Sequence, residues 1–116
     1  HTLIIKPNFG CSTKEVYSKV KKFNKPKLNQ PNKKMFNFDF LEKMNNSLEP
    51  IVFGKYYKLR NIKLFLENFS KPAFVRMTGS GSALVAYFIS KERCDKAKSQ
   101  FNKTYKNYWC IASKTI

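Results

Sequence analysis

Four short runs of the chain are rich in β-branched and aromatic residues, the pattern of half-buried β-strands. They are residues 2–6, 73–77, 83–89 and 108–112. The second and third runs are separated only by residues 78–82, which include two glycines. The sequence therefore predicts four strands, two of them joined by a tight glycine-spaced turn.

Between the strands, apolar residues recur every three or four positions, as in amphipathic helices. Ser12 and Glu15 form a capping box that starts a helix near residues 13–22, and Tyr17 lies off its apolar face. Further helices are predicted from Asn37, from Ser47, over residues 58–69 and after Ser90. The residues predicted to face inward are Val16, Val20, Phe23, Ile51, Val52, Tyr56, Leu59, Ile62, Phe65, Leu66, Phe69, Cys94, Ala97, Phe101 and Tyr105.

This order of elements predicts an α+β fold, in which an antiparallel sheet of about four strands is covered on one face by helices. Residues 24–34 contain two prolines and no periodicity, so they predict a loop. The 116 residues suffice for one hydrophobic core, and residues 1–116 are interpreted as a single domain. Because the chain begins at His1, we interpret it as a piece of a longer protein.

The net charge of +16 suggests a polyanionic partner, but the residue types argue against one. Of the 23 basic residues only Arg60, Arg76 and Arg93 are arginines, and arginine is the residue preferred for bidentate recognition of bases and phosphates. The lysines are also spread along the whole chain. We therefore interpret them as solvated surface residues and do not expect nucleic acid as a partner.

The rest of the composition bears on membrane association, redox environment and metal binding. No stretch has the length or apolarity of a membrane span, so no membrane partner is expected. The three cysteines, Cys11, Cys94 and Cys110, lack C-x-x-C spacing and predict buried thiols in a reducing cytoplasm. With a single histidine, a metal site built by this chain is not expected.

The segment FVRMTGSGSA (residues 74–83) carries the strongest chemical signal. Alternating glycines allow backbone N–H groups to turn toward an anion, and such a concave turn can hold phosphate. The same pattern also occurs in an ordinary hairpin turn. Residues from elsewhere in the chain are needed to choose between these interpretations.

Three separated blocks resemble one family. LIIKPNFGCSTKEVY (residues 3–17) is similar to the strand–helix opening of the carboxyl-terminal half of bacterial CDP-methylerythritol kinases. NNSLEP (residues 45–50) resembles their N-D-L-E helix start, although Ser47 stands where an aspartate is usual and is expected to cap equally well. RMTGSGSA (residues 76–83) is similar to the third glycine-rich motif of the GHMP kinase superfamily, and WCIASK (residues 109–114) lies where that family ends on a strand.

The resemblance implies a ferredoxin-like GHMP kinase carboxyl-terminal domain. Such an enzyme transfers the γ-phosphoryl group of ATP, with Mg²⁺, to the 2-hydroxyl of 4-diphosphocytidyl-2-C-methyl-D-erythritol in non-mevalonate isoprenoid synthesis. The family's catalytic base and main ATP loop lie in its amino-terminal domain. No catalytic residue is therefore expected in this chain, which alone should hold neither ATP nor Mg²⁺ and should be inactive without that partner domain.

The resemblance also assigns roles to individual residues. Gly79, Ser80, Gly81 and Ser82 are expected to form a phosphate-side loop, against the alternative of a purely structural hairpin. Tyr17 matches the aromatic position that stacks on the cytosine of the substrate, against the alternative of an ordinary rim tyrosine.

Several neighbouring residues stay open from the sequence alone. Thr78 either donates a hydroxyl or ends a strand, and Thr13 is interpreted as the first residue of a capped helix. Phe9 and Tyr57 are interpreted as core or surface aromatics. The face of Arg76 on its strand is not fixed by the sequence.

Two other functions are compatible with parts of the pattern. A kinase of the homoserine or mevalonate type would share the glycine motif but not the block at residues 3–17. A basic RNA-binding α+β module would stack bases on Phe74, Tyr87 and Phe88, but the chain lacks the expected K/R-G-F-G-F block.

Overall fold

The computed structural model describes residues 1–23, 25 and 30–115. Within the predicted loop at 24–34, residue 24 and residues 26–29 lie outside the described residues, and a 3₁₀ turn spans Lys33–Met35. The strands are β1 (Thr2–Lys6), β2 (Phe74–Met77), β3 (Leu84–Tyr87) and β4 (Trp109–Ser113). The helices are α1 (Thr13–Ser18), α2 (Phe38–Lys43), α3 (Glu49–Lys55), α4 (Tyr57–Phe65) and α5 (Lys91–Thr104), with a π-helical turn (Leu66–Ser70) continuing α4.

The four strands form one antiparallel sheet in the order β2-β3-β1-β4. Strand β1 is central, and its Ile4 pairs with Val85 of β3 on one side and Ile111 of β4 on the other. This confirms the predicted α+β fold with an antiparallel sheet of four strands and helices.

One face of the sheet carries the hydrophobic core. Period-two alternation sends Leu3 and Ile5 of β1 into it, and helix α5 packs across β1 and β4 from the same side. The fully buried residues from all these elements are Leu3, Ile5, Val16, Val52, Leu59, Ile62, Leu66, Val75, Met77, Leu84, Ala86, Phe88, Cys94, Ala97 and Phe101. Most of the predicted inward positions therefore lie in or against this core.

On the opposite face, helix α2 covers the part of the sheet near β2. The Phe38 ring of α2 packs edge-on against Phe74, with the ring centroids 6.4 Å apart. Arg76 donates from Nη1 to the Leu41 carbonyl at 2.8 Å, at the carboxyl-terminal end of α2 where unpaired carbonyls attract a cation. The face of Arg76, which the sequence left open, is thus the one covered by α2, and the guanidinium anchors that helix.

Helix α1 is shorter than the prediction of residues 13–22. The Lys19 N–H closes it onto the Val16 carbonyl, and Val20 makes only a turn bond to Tyr17. Phe23, predicted to face inward, is exposed. Lysines at 19, 21 and 22 bring like charges together in the next turn, and the exposed Phe23 ring does not reach the core, so a further turn would gain little burial.

The prediction for Phe69 is also wrong, because α4 does not keep helical periodicity to its end. The π-helical turn places more residues in each turn than an α-helix and so rotates the following side chain. Phe69 consequently points outward, with 66% of its surface exposed, and its ring lies 5.1 Å from the Phe65 ring, centroid to centroid. The segment ends at Lys71 in the left-handed conformation, φ 46°.

Candidate functional site

Residues 78–83 form the glycine turn that joins β2 to β3. The Thr78 N–H donates to the Ala83 carbonyl and the Gly81 N–H donates to the Thr78 carbonyl, both at 2.9 Å. Gly79 and Gly81 have φ of 49° and 89°, values that L-residues with a side chain rarely adopt. The segment is therefore a hairpin turn in geometry, and its capacity to bind an anion depends on which N–H groups it leaves free.

The second half of the turn, Gly81 and Ser82, makes contacts with the interior of the protein. Ser82 is only 2% exposed, and its hydroxyl donates to the Phe9 carbonyl at 2.6 Å. The same hydroxyl accepts from Lys6 Nζ at 2.8 Å, and that ammonium also donates to the Phe9 carbonyl at 2.9 Å. Ser82, predicted as a phosphate-side residue, thus uses its hydroxyl to tie the turn to the end of β1.

Gly81 is packed as closely as a glycine allows. A Cβ at this position would lie 3.0 Å from Cys11 Sγ and 3.1 Å from Met77 Sδ. Burial raises the pKa of the Cys11 thiol, although Lys6 and Lys55 act in the opposite direction. Cys11 is therefore a protonated thiol that packs against the turn. Away from the turn, burial also raises the pKa of the Cys110 thiol, to about 11.

The first half of the turn faces outward. A Cβ at Gly79 would meet open space, and the N–H groups of Gly79 and Ser80 have no partner within the described residues. Successive free N–H groups at a left-handed residue are the arrangement that binds oxyanions. Of the four predicted loop residues, Gly79 and Ser80 therefore keep free N–H groups, whereas Gly81 and Ser82 are held by the interior.

Asn46 holds the turn from outside, a role that sequence reasoning missed. Its Nδ2 donates to the Met77 carbonyl at 2.9 Å and to the Gly79 carbonyl at 2.7 Å, while its Oδ1 accepts from the Leu48 N–H at 3.0 Å. The N-cap position of α3 is Leu48, so the expectation that Ser47 caps this helix is wrong. The block at 45–50 was visible in the sequence, but its partners lie about thirty residues downstream.

Glu49, beside Asn46, makes a second connection to the same strand end. Its Oε1 accepts from the Met77 N–H at 2.7 Å, and its Oε2 accepts from Lys63 Nζ at 2.8 Å. Both side chains of that ion pair are mostly buried. The start of α3 is therefore bonded to the end of β2 by Asn46 and Glu49 together.

Helix α1 brings the other predicted site residue to the same surface. Thr13, its first residue, shares a hydrogen bond of 2.9 Å between its Oγ1 and Ser80 Oγ. Tyr17 follows four residues later, hence on the same helical face and about 6 Å along the axis. Tyr17 has 54% of its surface exposed.

The helix is fixed in place by charge as well as by its cap. Ser12 Oγ accepts from the Glu15 N–H, which confirms Ser12 as the cap, whereas the Ser12 N–H donates to the Tyr56 hydroxyl and not to Glu15 as a capping box would require. The Glu15 carboxylate pairs with Lys55 of α3, and this hydrogen bond holds the pKa of the carboxyl below its usual value. The exposed pair orients α1 against α3 without entering the predicted site.

The residues left open by the sequence are now located. Thr78 is exposed beside the turn, Phe9 is half-buried and stacks against Tyr56 at 6.2 Å, and Tyr57 is 62% exposed. Within the part of the chain that the structure describes, no helix could cross a bilayer, and no three acidic, histidine or cysteine side chains group as metal ligands would.

The aromatic residues of the RNA-binding alternative do not form a stacking platform. Phe88 is fully buried in the core. Phe74 and Tyr87 stack on each other, with their centroids 4.4 Å apart, and Arg76 lies over Phe74. Bases would need free aromatic faces on the sheet, so this arrangement does not support the RNA-binding interpretation.

The fold is that of part of a small-molecule kinase. Over 94% of this chain it superposes, with a TM-score of 0.72 and 20% identity, on a crystal structure of 4-(cytidine 5'-diphospho)-2C-methyl-D-erythritol kinase, covering 41% of that chain. No family model matches the sequence.

The curated relatives carry the same name. Over all 116 residues the chain is 51% identical to 4-diphosphocytidyl-2-C-methyl-D-erythritol kinase of Pelagibacter ubique, and it is 33% identical to that of Clostridium tetani over 90% of its length. It spans 41% of the length of each of these relatives. The chain is thus similar, from end to end, to the carboxyl-terminal portion of CDP-methylerythritol kinases, as the three sequence blocks indicated.

Proposed function

We propose that this chain is the substrate-side, carboxyl-terminal domain of an ATP-dependent kinase that phosphorylates the 2-hydroxyl of 4-diphosphocytidyl-2-C-methyl-D-erythritol. The observation that carries the proposal is the hydrogen bond between Thr13 and Ser80, which joins the glycine turn to the helix that bears Tyr17. A turn with free N–H groups and an exposed aromatic ring on one surface suit the transfer of a phosphoryl group to a substrate that carries a nucleobase. The similarity to the named kinases supplies the reaction.

In this proposal the two halves of the glycine turn have different tasks. The free N–H groups of Gly79 and Ser80 donate to phosphate oxygens, which lowers the cost of the negative charge that shifts during phosphoryl transfer. Gly81 and Ser82 keep those donors in position through their contacts with Cys11 and Phe9. Donors that are already oriented need no reorganisation when the reaction occurs.

Tyr17 binds the substrate at its other end. A flat aromatic ring on a nucleobase typically contributes about 1–3 kcal/mol per stacked base. The cytosine lies far from the transferred phosphoryl group, so this interaction stabilises ground and transition states alike. Tyr17 therefore acts on substrate capture and leaves the chemical step unchanged.

The remaining parts of the reaction belong to the domain that the relatives carry in addition. The described residues hold no carboxylate cluster beside the glycine turn. The nearby Glu49 already accepts hydrogen bonds from the Met77 N–H and from Lys63. The catalytic base, the main ATP loop and the ligands of Mg²⁺ are thus assigned to the amino-terminal domain. The turn fits the phosphate end of ATP through its free N–H groups, and this chain alone is expected to be inactive.

The setting of the proposed reaction follows from the substrate. We assign the enzyme to isoprenoid precursor biosynthesis in the cytoplasm, where its three unpaired cysteines stay reduced. A homoserine or mevalonate kinase remains the alternative, and it would not need a base-stacking residue at position 17.

The test is steady-state kinetics of the full-length protein with ATP, magnesium and CDP-methylerythritol, measured by ADP release. Tyr17→Ala should raise KM for the cytidine substrate roughly 5- to 150-fold, the equivalent of one lost stack, with kcat nearly unchanged. Tyr17→Phe keeps the ring and should behave like the parent protein.

Tyr57→Ala is the matched control, because Tyr57 is equally exposed but lies at the start of α4. It should leave both constants unchanged. An unaltered KM in a folded Tyr17→Ala protein would return Tyr17 to the role of a rim residue, and turnover of homoserine or mevalonate in place of the cytidine substrate would overturn the assigned reaction.

A further inference from the structure

The outward N–H groups of the glycine turn depend on a residue outside the turn. Each of these groups, the N–H of Gly79 and that of Ser80, belongs to a peptide whose carbonyl is already bound. We infer that Asn46 is a positioning residue for phosphoryl transfer, because it fixes the orientation of the Gly79–Ser80 peptide and so keeps the Ser80 N–H available to phosphate. The inference rests on the proposed function and extends the site beyond the turn itself.

The two peptides at the start of the turn are held in different ways. In a trans peptide the C=O and the N–H point in opposite directions, so a bond to one group sets the direction of the other. The Thr78 carbonyl accepts from the Gly81 N–H at 2.9 Å, and this bond within the turn directs the Gly79 N–H the opposite way. The Gly79 carbonyl instead accepts from Asn46 Nδ2 at 2.7 Å, and this bond directs the Ser80 N–H away from Asn46.

The Gly79–Ser80 peptide has little else to hold it. Gly79 has a φ of 49° and open space where a Cβ would lie, so the steric limits that a side chain imposes on rotation are missing. The hydrogen bond between Thr13 and Ser80 joins two side-chain hydroxyls and involves neither group of this peptide. Among the described residues, Asn46 is therefore the hydrogen-bond partner on which the orientation of this peptide depends.

Asn46 is itself held in one orientation. Its Oδ1 accepts from the Leu48 N–H at 3.0 Å, the turn that an asparagine forms with the backbone two residues on. Its Nδ2 then faces the end of β2, where both partners are carbonyls, that of Met77 at 2.9 Å and that of Gly79. An amide nitrogen only donates and an amide oxygen only accepts, so the reversed side chain would place like groups together at all three contacts.

The orientation of the peptide decides whether this part of the turn attracts or repels phosphate. With the Gly79 carbonyl bound to Asn46, the Ser80 N–H presents a partial positive charge to the oxygens of the transferred group. In a reversed peptide the carbonyl oxygen would present a partial negative charge instead. Removal of one such donor typically lowers kcat by about 10²–10³-fold. Loss of Asn46 should therefore act on kcat and not on capture of the cytidine substrate, which we assign to Tyr17.

The test is steady-state kinetics of full-length Asn46→Ser with the alcohol that the parent protein phosphorylates. Serine keeps a hydroxyl that can accept from the Leu48 N–H, but it is too short to reach the Met77 and Gly79 carbonyls. We expect kcat to fall roughly 10- to 100-fold, while KM for the alcohol changes less than about twofold. A crystal structure of the variant should show the Gly79 carbonyl turned away from position 46. Asn46→Gln displaces the amide by one methylene and should lower kcat in the same direction, which provides a second variant if serine does not allow folding.

Lys63→Met is the matched control, because Lys63 pairs with Glu49 at the same junction and does not bond to the glycine turn. It should lower the Tm but leave kcat unchanged. The inference is overturned if folded Asn46→Ser keeps the parent kcat, if Lys63→Met lowers kcat as much, if the loss appears in KM, or if kcat falls while the peptide keeps its parent orientation. The proposed function fails separately, when the parent protein does not phosphorylate CDP-methylerythritol, and the Asn46 comparison is then made with the alcohol that it does phosphorylate.

Discussion

The glycine turn and the Tyr17 face of α1 lie side by side but are built in opposite ways. The turn is connected to four other segments through Lys6, Cys11, Asn46 and Thr13. Tyr17 stands on a helix of six residues with its ring half free. In the turn the residues that serve folding, Gly81 and Ser82, adjoin the proposed phosphate donors of Gly79 and Ser80, whereas at Tyr17 a change in binding can be separated from a change in stability.

The largest effect is expected from Gly81→Val in the turn. The new Cβ would crowd Cys11 and Met77 at a φ of 89°, so strain and overpacking add. Together they should lower the free energy of unfolding by roughly 2–4 kcal/mol. Urea unfolding measures the loss. Gly54→Ala in α3, where a Cβ meets open space, is the control and should be neutral or slightly stabilising.

Asn46→Asp comes next and tests the support of the turn from outside. The substitution keeps an oxygen that can accept from the Leu48 N–H. It replaces the amide NH₂ group, which donates to the Met77 and Gly79 carbonyls, with a carboxylate oxygen that faces both carbonyls. Stability should fall by about 2–3 kcal/mol, because two bonds are lost and a charge lacks a partner. Parent-like unfolding of Asn46→Asp would mean that the turn needs no support from the start of α3.

Tyr17→Ala should have almost no effect on stability, which is the other side of the comparison. The ring is half exposed, and alanine is the better helix former, so the free energy of unfolding should stay within about 0.5 kcal/mol of the parent. Calorimetry of the variant used for the kinetic test makes this measurement. A marked drop in Tm would show that the Tyr17 ring contributes to stability. Binding and stability would then be coupled at Tyr17 as they are in the glycine turn.

The smallest effect concerns the exposed pair of Glu15 and Lys55. Since the folded state lowers the pKa of Glu15, the pair stabilises the protein above the ordinary pKa of glutamate. That contribution is lost as the pH falls through the lowered value, when the carboxylate takes up a proton. The Tm difference between the parent and Glu15→Gln should therefore be small at neutral pH and vanish in acid. A constant difference across this range would rule out the pair as its source.

Much of the fold was accessible from the sequence because its signals are local. The cap at Ser12, the period-two strands and the apolar stripe of α5 each depend on residues close together in the chain, and all were predicted. The inward position of Phe69 was predicted wrongly because a π-helical turn leaves no trace in the spacing of apolar residues. Likewise, the early end of α1 depends on what its last turn could bury.

The candidate site was predictable only as separate pieces. The glycine motif and Tyr17 were identified from local pattern and resemblance, but nothing in the sequence joined them. The link is made by two hydroxyls 67 positions apart, Thr13 and Ser80. Asn46 and Ser82 also have partners far away in the chain, 31 to 33 positions for Asn46 and 73 to 76 positions for Ser82, so the division of the turn into a supporting half and a free half required the structure.

The pairing of Lys6 with Trp109 across β1 and β4 gives this chain a built-in optical probe. Trp109 is the only tryptophan and is more than half exposed, so its fluorescence reports the edge of the sheet and not the core. The emission of the folded chain should already resemble that of a solvated indole and should change little in wavelength on denaturation. Its quenching by iodide, in contrast, would report directly when another protein surface covers the end of β1 that carries Lys6.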